Sequence, residues 1–178
     1  MKINNYYLLI FAFIAVSVKW YVSFYLFSES LDTKIIHDSV SDAKYYYPLI
    51  KLLSEFNLNY SYDPEIANLK SVYLPFWGVF FHSIFLKIFG FYSFIILDFI
   101  FIYLILLVFF YIFNVFLSRE ISIVFSIFIF LIPYLISTSS LNDIQYLNLF
   151  SKTLYGLRVP RPMVTNLYFF TFLLLTLK

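Results

Sequence analysis

Asp42-Ala43-Lys44-Tyr45 sets a carboxylate three residues ahead of a phenol, at the start of a stretch with helical spacing. A carboxylate at a membrane surface can take the proton of an acceptor hydroxyl, because partial desolvation raises its basicity. The same residue can instead cap a helix, and from the residues alone the cap stands first. Asp143, in "STSSLNDIQYLNLF", could position an acceptor or a divalent metal ion; one acid in a polar run is as readily only solvated. Arg158 and Arg161 flank Val159-Pro160, whose ring restricts the spacing of two guanidinium groups. Such forks bind phosphate oxygens bidentately, which makes a lipid phosphate one ligand for them. Anchoring at a membrane interface is the other role open to them. Lys19 and Asp98 lie within apolar runs, where ionisable groups are costly and often functional. Trp20 and Tyr21 follow Lys19, so snorkelling at an aromatic belt also accounts for it. Asp98 has less of an account unless it lies close to the membrane surface. "HDSVSD" (His37, Asp38, Asp42) is a weak metal pattern, and no protein-built metal site is expected from it.

The composition says which elements must hold these residues. Of 178 residues, 62% are hydrophobic and only 12% charged, with 25 Phe and 17 Tyr. A soluble domain is about a quarter charged, so the class is integral membrane protein. The absence of cysteine excludes disulfides, thiolate metal sites and a cysteine nucleophile. With only His37 and His82, a histidine-rich metal centre is excluded too. Residues 28–70 hold seven acids against four bases, whereas the rest of the chain holds three acids against eight bases. Lys and Arg are retained on the cytoplasmic side, and the asymmetry favours an external acidic loop.

Along the chain, residues 6–27 read as a first span, with Lys2 ahead of it and a cytoplasmic N-terminus. A cleaved signal peptide has a similar outline, but the apolar run continues past "AVS", which favours a retained anchor. Residues 28–90 read as an external loop with two surface helices, 42–56 and 72–89. In the first, Tyr45, Leu49, Leu52, Leu53 and Phe56 recur at spacings of three and four, with Pro48 tolerable in a first turn. Pro75, Gly78, His82 and Lys87 weaken the second as a span. The rival reading lets 71–90 cross and puts 138–165 in the cytoplasm. Residues 91–117 and 121–137 read as spans, 138–165 as a further external loop, and 166–178 as the start of another span. Twelve apolar residues cannot cross a bilayer as a helix, so the sequence is expected to be cut from something longer.

The order of these features carries a resemblance. An N-terminal helix leads to an acidic loop with Asp-x-x-Tyr (Asp42 to Tyr45). A surface helix follows, then "YLPFWGVFFHSIFLKIFG", then a Pro133-bearing span and Asp143. Over residues 1–150 this resembles the start of the GT-C-type membrane glycosyltransferases that use polyprenyl-phosphate-linked sugars, such as protein mannosyltransferases and aminoarabinose transferases. Their first external loop reads Asp-Glu-x-x-Tyr, and a Pro-containing helix ends in a Leu/Ile-Phe-Gly turn, here Ile88-Phe89-Gly90. Ala43 departs from the second acid, which weakens any metal-assisted variant. Asp98 lies near where relatives carry an arginine.

The resemblance implies an all-α, polytopic protein in the plasma (inner) membrane. It implies Asp42 and Asp143 as catalytic residues, with Asp42 now ahead as a base. Arg158 and Arg161 become lipid-phosphate ligands, and Tyr45, Lys19 and Asp98 secondary candidates. The implied partners are a polyprenyl-phosphate-linked sugar and membrane lipids, not nucleic acid; the one cofactor in view is a divalent metal ion. A transporter, flippase or partner subunit of polysaccharide export is the alternative.

Overall fold

A computed structural model describes residues 5–27, 43–56, 76–138 and 163–177. Among these the chain is all-helical, as the composition predicts. The helices are α1 (Tyr6–Phe27), α2 (Ala43–Ser54), α3 (Phe76–Phe89), α4 (Tyr92–Phe113), α5 (Arg119–Thr138) and α6 (Met163–Leu177). Asp42, Asp143, Arg158 and Arg161 lie outside the described residues, as do His37 and Asp38. Tyr45 is on the backbone of α2, and its side chain is not described.

Length separates two classes of helix. At 1.5 Å per residue, the 22-residue α1 and α4 are about 33 Å long, against a hydrocarbon core of about 30 Å. Tyr6–Tyr25 and Tyr92–Phe113 are both long and apolar enough to cross a membrane. By the same measure the described lengths of α2 and α3 are about 18 Å and about 21 Å, short of that core.

The described residues form two compact units. One holds α1 up to Ala15, α4 from Phe99, and α5 and α6. Its core includes Leu8, Ala12, Ile105, Leu106, Phe109, Phe110, Phe130 and Met163. Phe11 meets the edge of Phe130 at 5.8 Å, joining α1 to α5, and Phe109 meets Phe170 at 4.9 Å, joining α4 to α6. Small residues let helices approach closely. Ala12, Ser122 and Ser126 are such residues, each fully buried. Both serine hydroxyls donate back to the carbonyl four residues earlier, at 2.8 and 2.6 Å, which hides their polarity within α5. Arg119 at the start of α5 donates from Nη2 to the side-chain oxygen of Asn5, which caps α1 through its own carbonyl.

The second unit holds α1 from Val16, α2, α3, and α4 as far as Asp98. Helix α2 packs on α3. Gly90 ends α3 in the left-handed conformation (φ +57°), and its amide closes the helix on the Leu86 carbonyl at 2.9 Å. Two residues later, at Tyr92, α4 begins.

Two expectations about α2 need correction. Pro48 is not in a first turn: it is the sixth residue of the helix. It therefore removes an amide that would reach back four residues, and its own side chain stays exposed. The apolar face also differs. Leu49 and Ile50 are buried and Leu52 and Leu53 half-buried, but Phe56 is 78% exposed. The helix stops at Ser54, and Phe56 takes φ +58°, so the 3.6-residue period no longer places it.

Candidate functional site

Within the second unit, α1 and α4 each contribute one charge to a buried polar site. Lys19 Nζ donates to Asp98 Oδ2 at 2.5 Å, and Trp20 Nε1 donates to the same oxygen at 2.9 Å. Asp98 is 2% exposed and Trp20 3%, whereas the Lys19 side chain keeps 34% of its surface. The carboxylate is thus the enclosed partner, and the ammonium is the one that still reaches outward. Consecutive residues 19 and 20 lie about 100° apart on a helix. Both nevertheless reach one oxygen, since Lys19 has a long flexible stem and its Nζ lies 5.6 Å from the Trp20 ring.

One turn from Asp98, rings from α2, α3 and α4 meet. Phe94, one turn earlier on α4, lies 5.7 Å from His82 of α3 and 6.2 Å from Tyr47 of α2. Tyr47 also stacks on Phe91 at 6.2 Å. His82 is fully buried, and its Nδ1 lies 2.8 Å from the Gly78 carbonyl, which can only accept; Nδ1 therefore carries the proton. Burial pushes His82 down to about 4. The Gly78 hydrogen bond and the Asp98 charge oppose that shift, and Lys19 adds to it. The imidazole is neutral at physiological pH, and its Nε2 is a base rather than a charge. Burial alone raises the Tyr47 phenol above its ordinary value. Ser93, fully buried at the start of α4, has no hydrogen-bond partner for Oγ among the described residues.

Of the residues singled out by sequence, the structure brings Lys19 and Asp98 together. Lys19 is held by a carboxylate, not only by an aromatic belt, and Asp98 gains the account it lacked. Sequence reasoning missed Trp20 as a donor and His82 as a neighbour of the pair. The signal available was the placing of opposite single charges in the two longest apolar runs. Among the described residues, no group of three or more acids or histidines could hold a metal ion. Comparison with protein-family models, curated proteins and solved structures found no match.

Proposed function

We propose that this chain is a multi-pass membrane protein of the GT-C glycosyltransferase type. It moves a sugar from a polyprenyl-phosphate carrier to an acceptor on the non-cytoplasmic face. The observation that carries this reading is the α2–α3 pair. Helix α2 begins at the residue after Asp42 and packs on a second helix that is also short of the hydrocarbon core, between two helices that are long enough. Two short helices at a membrane surface, the first opening at an Asp-x-x-Tyr acid, match the order of parts that the sequence resembles.

In this mechanism Asp42 accepts the proton of the acceptor hydroxyl as its oxygen bonds to the sugar's anomeric carbon. The bond from that carbon to the phosphate oxygen breaks, and polyprenyl phosphate leaves with the electron pair. Arg158 and Arg161 steady the departing phosphate, since arginine forks match its oxygens. Asp143 orients the acceptor. Membranes containing the protein should release polyprenyl phosphate from polyprenyl-phosphate-linked sugars and transfer the labelled sugar; membranes lacking it should not.

One observation favours a second reading. Paired charges inside apolar helices mark ion and substrate pathways in transporters, and Lys19–Asp98 is such a pair. A non-catalytic transporter or flippase would move the labelled lipid across the bilayer without cleaving it.

A further inference from the structure

At the opposite end of α2 from Asp42, the second unit carries a groove of about 420 Å³ between α2 and α3. Leu53 and Phe56 form one wall and Phe80, Ile84 and Ile88 the other, with Ser54, Ser83 and Lys87 completing the lining. The two serines spend their hydroxyls on their own helices, Ser54 on the Lys51 carbonyl and Ser83 on that of Phe80. Among the described residues the groove therefore offers a ligand hydrocarbon contact and a single cation. Lys87 Nζ sits 4.1 Å from the centre of the Phe56 ring, at the exposed rim. Phe56 holds this place in a left-handed conformation that a non-glycine residue rarely adopts. Glu55 beside it is exposed and does not line the groove.

We infer that this groove holds one acyl chain of an anionic bilayer phospholipid, with the headgroup phosphate against Lys87. The volume falls in the ~300–1,000 Å³ range of small-ligand sites. On the proposed membrane placement α2 and α3 lie at the interface, where lipid phosphates are at hand. A positive rim on an apolar trough matches a negative head on an apolar chain. The reacting donor is a poor fit, because its phosphate must stand beside Asp42. From residue 43, which follows Asp42, to Ser54 the helix runs about 17 Å. The inference uses the membrane placement but not the transfer chemistry.

The test is native mass spectrometry of the protein released from nanodiscs. The discs contain phosphatidylglycerol or phosphatidylcholine of equal chain length, or phosphatidylcholine with added polyprenyl phosphate. One phosphatidylglycerol should stay bound per chain, in preference to phosphatidylcholine. Lys87→Gln should weaken its retention about fivefold, the contribution of one lysine near anionic headgroups. Ile84→Trp, which fills the trough, should abolish retention. Lys51→Gln, an exposed lysine outside the lining, should leave it unchanged. Retention untouched by both groove variants would overturn the inference. So would preferential retention of polyprenyl phosphate sensitive to Ile84→Trp, or a second copy of the chain bound in place of lipid. Lipid retention is read without any transfer step, so its failure leaves the glycosyltransferase reading standing, and the reverse holds too.

Discussion

Asp98 and Lys19 form one ion pair whose two members have unequal stakes. Breaking a buried pair costs about 3–5 kcal/mol when the remaining charge has nowhere to go. Lys19→Met leaves a carboxylate that is 2% exposed with, among the described residues, the Trp20 N–H to satisfy it, and should lose stability on that scale. Asp98→Asn keeps an oxygen for Trp20 and leaves a lysine with a third of its surface free. That variant should lose less, about 1.5–3 kcal/mol, the value of one charge-assisted hydrogen bond. Thermal unfolding of the two variants in detergent reads the difference; equal losses would mean that burial does not set the stakes. His82 makes a pH prediction. Its value is about 4 in the folded chain against an ordinary 6.5, so between these the unfolded state binds more protons. Stability is then full above pH ~6.5 and falls as pH drops toward 4, by on the order of 3 kcal/mol. His82→Gln should flatten that part of the curve. An unchanged slope would place the titration elsewhere.

Individual elements were legible in the sequence to different depths. The spans of α1 and α4 follow from apolar length alone, and α2 from spacing. Which face of α1 is buried does not follow. Leu8, Ala12, Val16, Trp20 and Ser23 are buried, while Tyr6, Ile10, Phe13, Ile14, Val18, Tyr21 and Tyr25 are exposed. Both sets are mostly apolar. In water the exposed set would be polar, and against lipid it need not be, so periodicity loses its contrast where the solvent is hydrocarbon. The end of α2 was misread for another reason. Nothing in the sequence marks Phe56 for a left-handed position that glycine usually fills, as Gly90 does at the end of α3. Helix α3 decides the topology. If it does not cross, single cysteines at 40 and 155 of this cysteine-free chain should react together with an impermeant thiol reagent in intact cells. A cysteine at Ser118, in the exposed turn before α5, should be protected. Labelling at 118 with protection at 155 would make α3 a span and part Asp42 from Asp143.

At the scale of the molecule, exposed apolar residues cover the long helices, and the few charges within the described helices are paired, capped or at helix ends. Lys19 is held by Asp98, Arg119 by Asn5, and Lys87 lies over Phe56. The polar segments carrying Asp42, Asp143, Arg158 and Arg161 are where the proposed chemistry resides. Their part in it was readable only as motif order, since no regular period links them. The most direct measurement compares Asp42→Asn with Asp38→Asn in membranes assayed for transfer from polyprenyl-phosphate sugars. Asparagine keeps the size of aspartate and can still cap α2, so the fold should survive both changes. It cannot accept a proton, so Asp42→Asn should lower turnover at least ~10²-fold. Asp38→Asn should change it little, because residue 38 does not carry the Asp-x-x-Tyr spacing. Equal, small losses in the two variants would return Asp42 to the role of a helix cap and contradict the account.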